Sequence, residues 1–144
     1  MLAPLVRALI NTLSRTPTGA HVTFETNIAD DLQVPIDRTD LAEVLGNLLE
    51  NATRYARQRV HISSGPQSSV IIEDDGAGIT PAHGPRVLER GSRLDQSGEG
   101  AGLGLAIVQD VLSAYGWGLA LEKSKLGGLR AMIAVKKLIQ AGNQ

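Results

Sequence analysis

Leu41-Ala-Glu-Val-Leu-Gly-Asn47-Leu-Leu-Glu-Asn51-Ala-Thr-Arg54-Tyr55-Ala56 is the stretch on which the reading of this chain turns. At about 100° per residue, Leu41, Val44, Leu45, Leu48, Leu49, Ala52 and Ala56 form one continuous apolar stripe, the mark of a helix laid on a core. Asp37 or Thr39 can cap it, and it should run to about Arg57. Asn47, Asn51 and Arg54 lie just beyond one edge of the stripe, with Tyr55 on the edge itself. Asparagine is a mediocre helix former, so two of them one turn apart call for a reason. An amide oxygen can coordinate Mg²⁺, which prefers oxygen ligands and keeps company with phosphates, and Arg54 would add charge to the same phosphates. The plainer alternative is a solvated helix edge. Neighbouring segments decide between the two.

Two glycine segments follow. Asp74-Asp75-Gly76-Ala77-Gly78-Ile79 ends the apolar run Val70-Ile71-Ile72. A carboxylate at a strand end, with glycines that let backbone approach a ligand, suits recognition of an exocyclic amine; a simple Asp-Gly turn is the bland alternative. Gly98-Glu-Gly100-Ala-Gly102-Leu103-Gly104-Leu105 runs straight into the apolar helix Ala106–Val111, expected from about Leu103 to Ala114. Glycines ahead of a helix expose N–H groups and the positive end of its dipole to an anion. The strand-first order of a dinucleotide fingerprint and the Gly-Lys-Ser/Thr of a P-loop are both missing. Between the segments, Thr80–Ser97 is irregular and carries Arg86, Arg90 and Arg93, as a lid over phosphates would.

Outward from this centre, Leu2, Leu5, Val6, Leu9, Ile10 and Leu13 mark an amphipathic helix over residues 2–15. Val22–Ile28 alternates as a half-buried strand, and Gln33–Ile36 reads as a short edge strand at Pro35. Strands are expected at Arg59–Ser63, Ser69–Glu73, Leu119–Glu122 and Leu129–Lys136, the last two joined through Gly127-Gly128. The interleaving of strands and helices gives an α/β class, with helices layered on one sheet face.

Composition sets the bounds. The 144 residues fit one domain, and 42% apolar content with 3% aromatics gives an aliphatic core. With no cysteine there is no disulfide framework and no thiolate metal site or nucleophile. A formal net charge of -1 offers no electrostatic case for nucleic acid. No apolar run reaches the ~20 residues of a membrane span, so a soluble, cytoplasmic domain is expected.

The order Asn-x3-Asn on a helix, Asp-x-Gly-x-Gly, loop, Gly-x-Gly-x-Gly-Leu resembles the histidine kinase, gyrase, MutL and heat-shock chaperone ATPase superfamily. Within it, Asn47–Tyr55 resembles the N box of sensor histidine kinases, Asp74–Ile79 the G1 box and Gly100–Leu105 the G2 box. Glu89-Arg90-Gly91-Ser92-Arg93 and Ser124-Lys-Leu-Gly127-Gly128 are similar to the PhoQ-like branch. The gyrase and chaperone branches carry a glutamate general base where this chain has Asn47, so the resemblance implies a kinase rather than a hydrolase.

That resemblance implies a two-layer α/β sandwich with a mixed sheet, the Bergerat-type fold, with ATP between the Asn helix and a lid over about residues 80–99. It implies that Asn51 ligates Mg²⁺ with Asn47 beside it, that Arg54 contacts phosphate, and that Tyr55 packs near the nucleotide. Asp74 would take the adenine amine, with Gly76, Gly78 and Ile79 lining that pocket. Arg93 would reach the γ-phosphate, and Gly100, Gly102, Leu103, Gly104 and Leu105 would cradle the phosphates. Asn47, Arg54 and Arg93 would be the catalytic group, working by positioning and charge stabilisation.

The lid departs from the pattern: Leu88 and Gly91 stand where phenylalanines are usual, and Ser97 and Glu99 replace a second arginine and a glutamine. None of His21, His61 and His83 sits in a phosphoacceptor setting. The resemblance therefore implies a catalytic fragment, with residues 1–15 at the junction to a separate, homodimerising histidine-bearing domain. That domain would relay phosphate to a response regulator in a bacterial inner-membrane parent. Two rivals stand beside it: an anti-sigma-factor serine kinase, disfavoured by the Gly-Leu-Gly-Leu-Ala-Ile run and by Leu-Gly-Gly, and an ATP-binding module that transfers nothing.

Overall fold

The expected apolar stripe becomes the central helix. In the computed structural model, which describes residues 2–76 and 101–142, α1 spans Leu2–Ser14, β1 Thr23–Asn27, α2 Arg38–Tyr55, β2 Arg59–Ser64 and β3 Val70–Asp74. They are followed by α3 at Ala101–Ala114, β4 at Trp117–Lys123, β5 at Leu129–Val135 and α4 at Lys136–Gly142. Asp37 is the N-cap of α2, its carboxylate accepting the Thr39 N–H at 3.1 Å. The helix stops at Tyr55, short of Arg57, because Ala56 turns to extended geometry (φ -66°, ψ 145°) to feed β2. Leu41, Val44, Leu45, Leu48, Leu49 and Ala52 are all buried. Thr53 joins them by donating its hydroxyl to the Leu49 carbonyl at 2.7 Å, so the buried group keeps a partner.

One mixed sheet has the order β1-β2-β3-β5-β4. The β1–β2 pair is parallel, connected by the α2 crossover, and the remaining pairs are antiparallel. Val60, Ile62, Val70, Ile72, Leu119, Ala131 and Ile133 are buried and share one face of the sheet by their period-2 spacing, the face that meets α2 and α3. On the opposite face Arg130 pairs with Glu73 at 3.2 Å and Glu122 at 3.3 Å, its register partners on β3 and β4. This is the two-layer α/β architecture expected, with α2 and α3 on one face; the short α4 lies against Gly118 on the other, where a Cβ would stand 3.4 Å from Ile139. Helix α1 belongs to the core: Leu2 and Val6 are essentially inaccessible, and the Leu2 N–H donates to the Leu32 carbonyl at 3.0 Å. At the far end, the Tyr115 hydroxyl donates to the Asp40 carboxylate, fastening the end of α3 to the start of α2.

Several boundaries differ from expectation. Gln33–Ile36 is not a strand: Pro35 lacks the donor a ladder needs, the Ile36 N–H closes locally on the Val34 carbonyl at 2.8 Å, and Ile36 turns into the core. Trp117 and Gly118 extend β4 upstream, pairing with Val135 and Ala134. Helix α3 begins at Ala101, which brings Gly102 and Gly104 into its first turn instead of ahead of it. The short α4 was not anticipated, since two turns give too few periods for a pattern to show. Among the described residues no helix is long and apolar enough to cross a membrane.

Leu49 lies at the centre of this packing with no accessible surface. Leu49→Ala should lower unfolding free energy by about 2–5 kcal/mol, through lost transfer energy and the cavity left behind. Urea denaturation followed by circular dichroism measures it.

Candidate functional site

Strand β3 ends in a carboxylate that the fold buries. Asp74 retains 2% of its accessible surface, and its Oδ1 accepts the Gly76 N–H at 2.9 Å and the Leu129 N–H at 3.3 Å. Its backbone carbonyl accepts the Gly128 N–H at 3.1 Å. A Cβ on Gly128 would overlap both Oδ1 and that carbonyl oxygen and come within 2.7 Å of the Gly76 nitrogen, so the loop before β5 passes under Asp74 only as glycine. Burial pushes the Asp74 carboxyl above its usual range, while the Gly76 and Leu129 N–H groups pull the other way. Among the described residues both of these bonds fall on Oδ1, which leaves Oδ2 to meet an incoming donor.

The next two residues bind the end of β3 to the end of α2. The Asp75 carboxylate accepts the N–H groups of Arg57, Gln58 and Arg59, with Oδ1 at 2.8, 3.0 and 3.1 Å. Gln58 also reaches Oδ2 at 3.2 Å. Burial acts to raise this carboxyl too, but the three backbone donors outweigh it and hold Asp75 below the usual range. A Cβ on Gly76 would overlap the Tyr55 carbonyl oxygen; the close approach of the two element ends needs a glycine there.

On the edge of α2, both amides are half-buried but differ in their bonding. Asn47 donates Nδ2–H to the Glu43 carbonyl one turn back at 2.8 Å. That bond fixes Oδ1 as the free acceptor, turned toward the first turn of α3, where a Cβ on Gly104 would stand 3.1 Å from it. Asn51 Oδ1 is buried and has no hydrogen-bond partner among the described residues. An unsatisfied buried carbonyl oxygen costs about 1–3 kcal/mol and calls for a reason, of which a donor or cation brought by a ligand is one; the Ser69 hydroxyl is the other such group among the described residues. Arg54 is exposed and lies 3.8 Å from Glu50, while Tyr55 is half-buried at the helix end. The structure thus brings together Asn47 and Gly104, and Tyr55, Asp74 and Gly76. Leu105 is buried in the core beneath the first turn of α3. Gly102 and Leu103 lie in that turn; Gly78, Ile79, Arg93, Gly100 and the lid over 80–99 are outside the described residues.

Residues 36–139 match the family of histidine kinase-, DNA gyrase B- and HSP90-like ATPases. The sensor protein kinase CarS of Pseudomonas aeruginosa is 42% identical over 118 residues, covering 80% of this chain and 26% of that protein. The two-component sensor PhoQ of the same species is 38% identical over 130 residues, 88% of this chain and 29% of its own length. The chain belongs to this ATPase family. Among solved structures, the mycobacterial sensor histidine kinase MprB superposes with a TM-score of 0.78 at 26% identity, over 92% of this chain and 93% of that one. The chain spans a little over a quarter of the length of these curated relatives.

Within the ATPase-family frame, two features escaped the sequence reading. Gly128, which the sequence offers as a strand connection and a PhoQ-like similarity, is the seat of the Asp74 carboxylate; the Leu-Gly-Gly before the last strand is the signal that marks it. Asp75 was taken as the variable position between Asp74 and Gly76, because partners that are backbone N–H groups leave no trace in the sequence.

Asp74→Asn separates fold from recognition. Its remaining oxygen can keep both N–H bonds, but an NH₂ would replace the free acceptor, so affinity for adenine nucleotides should fall by about tenfold or more. Because the folded carboxyl sits above its unfolded value, its charge costs stability at neutral pH, a cost relieved as pH falls through the raised value. The Asn variant should therefore be as stable as the parent or more so. Parent affinity should fall with pH earlier than the ~3.9 of a free aspartate would dictate. Calorimetric titrations across pH, with thermal melts, test both statements.

Proposed function

We propose that this chain is the catalytic, ATP-binding domain of a two-component sensor histidine kinase. It would transfer the γ-phosphoryl group of Mg-ATP to a histidine on the dimerisation domain of its parent, for relay to a response regulator. The observation that carries this reading is the orphaned Asn51 Oδ1, one helical turn from an amide whose own orientation is fixed.

The donor set fits Mg²⁺. Among the described residues there is no group of three His, Cys, Asp or Glu side chains placed to hold a metal, so a hard cation here would lean on an amide oxygen, water and the nucleotide's phosphates. Asn51 would hold it, and when bound it would neutralise charge developing on the phosphate oxygens. Asp74 Oδ2 would accept the adenine amine. Arg54 would exchange its long, exposed pairing with Glu50, an interaction worth about 0–1 kcal/mol, for phosphate. The first turn of α3 would offer backbone N–H groups around Gly102 and Gly104, and Arg93 would approach from the lid.

Asn47 bears on which reaction follows. An amide has no proton-accepting capacity near neutral pH, so it cannot activate water as a carboxylate base would. A phosphoryl acceptor brought by a separate domain would need no water-activating base here, which favours a kinase over a hydrolase, and the domain would work on the cytoplasmic side, where ATP is supplied.

Asn51→Ala should abolish Mg-ATP binding in calorimetry, while the variant should be at least as stable as the parent, since removing an unsatisfied buried oxygen relieves a cost of about 1–3 kcal/mol. Labelled phosphate should pass from ATP to a purified histidine-bearing dimerisation domain with the parent chain and not with the variant. Transfer to a serine substrate would point to the anti-sigma-factor type, and tight binding without any transfer to a nucleotide sensor.

A further inference from the structure

The two ends of the nucleotide site ride on different elements. Asn51, Arg54 and Tyr55 belong to the last turns of α2, and Asp74 to the end of β3. Asp74 has its own anchorage on the β5 side, from Leu129 and Gly128. The chain leaving α2 is held on one side by β1, where the Gln58 carbonyl accepts the Thr23 N–H at 2.7 Å and Arg59 pairs with Thr23; its cap, Ala56, is already extended, and the N–H groups of Arg57, Gln58 and Arg59 turn toward the end of β3. Three successive N–H groups leaving a helix end would otherwise be bonded to water. Instead all three converge on one carboxylate, Asp75, at 2.8–3.1 Å from Oδ1. The Asp75 N–H also returns to the Arg59 carbonyl at 3.3 Å.

We propose that Asp75 is a positioning residue for the nucleotide: by gathering the N–H groups that follow α2, it locks the helix end to β3 and sets the separation between the Asn51 amide and the Asp74 carboxylate. The role rests on the ATP-site reading above. A ligand that engages both ends at once must find them at a fixed spacing, and the loss of preorganisation appears as lost affinity for that ligand alone. A ligand that uses only the Asp74 end does not sense the spacing. The Asp75 side chain bonds neither Asn51 nor Asp74; burial raises the neighbouring Asp74 carboxyl and the Asp75 charge adds to that rise, a contribution separate from its hold on the backbone of residues 57–59. Its carboxyl stays ionised at any pH where the parent protein is used, because its folded value lies below the ordinary one.

Geometry also says which substitution rescues. Three of the four bonds fall on Oδ1 and only the second Gln58 bond on Oδ2, so asparagine, with one oxygen, can keep the clamp and alanine cannot.

The test compares two probes on the parent chain and on Asp75→Ala and Asp75→Asn, by calorimetry or NMR titration: Mg-AMPPNP, which spans the site, and adenosine, which occupies only the Asp74 end. Asp75→Ala should bind Mg-AMPPNP about tenfold more weakly, a loss of the size seen when groups that orient direct ligands are removed. Adenosine affinity should be unchanged, and Asp75→Asn should restore Mg-AMPPNP binding to near the parent value. Should the alanine variant fail to fold, Asp75→Ser, whose single oxygen can hold part of the N–H cluster, must show a smaller loss with the same selectivity. Equal losses for both probes, or no loss for either, overturn the positioning role. A parent chain that binds adenosine and Mg-AMPPNP with the expected difference, alongside unselective variants, refutes the clamp and leaves the ATP site standing. A parent that binds neither probe refutes the ATP site, and the clamp with it.

Discussion

The structure depends on a carboxylate buried where it should not be comfortable. Asp74 closes β3 inside the domain, and the N–H groups of Gly76 and Leu129 are what make its burial tolerable. Everything near it is arranged around that anion: Gly128 lacks a side chain so that β5 can pass beneath it, and Gly76 lacks one so that α2 can end against it. Burying a charge without full compensation is costly, and a fold that retains one at a strand end keeps it for a ligand. The same logic applies to Asn51, whose buried oxygen has no hydrogen-bond partner among the described residues. Two under-satisfied acceptors on neighbouring elements, one anionic and one neutral, suit a ligand with an amine at one end and a cation-bearing phosphate chain at the other.

The helices supply rigidity to this pair. The crossover of α2 between the parallel strands β1 and β2 fixes its axis on the sheet, and its buried leucines determine which face points inward. The position of Asn47 and Asn51 on the boundary between core and solvent is then a consequence of 3.6-residue periodicity. Asn47 spends its donor on its own helix and so presents only an oxygen toward α3. Chemistry that needs a base from this position is closed to that side chain.

Much of this was legible from the residues, and what was not has physical reasons. The stripe from Leu41 to Ala52 and the alternation in β2 and β3 report burial directly, because the hydrophobic pattern and the packed face are the same fact seen twice. The amides stood out as poor helix formers in a strong helix. By contrast, the contact of Gly128 with Asp74 is long-range, and a glycine's reason for being glycine lies in what passes over it. The Asp75 bonds go to backbone, which every sequence possesses. At Gln33–Ile36 the apolar alternation was real, but those side chains serve the core from a bend, where Pro35 denies the ladder hydrogen bond a strand would need.

The most direct measurement is a two-dimensional NMR titration of the ¹⁵N-labelled chain with Mg-ADP. The account requires the largest shifts at the Asn47 and Asn51 side-chain amides and at the backbone amides of Gly76, Gly102, Gly104 and Leu129, with Asn51 responding only when Mg²⁺ is present. Shifts centred instead on the groove between α1 and α2, where Asn47 shares the wall with Leu9, Leu13, Ala42 and Gly46, with Gly76 and Leu129 unmoved, or an Asn51 side chain indifferent to the metal, would contradict it.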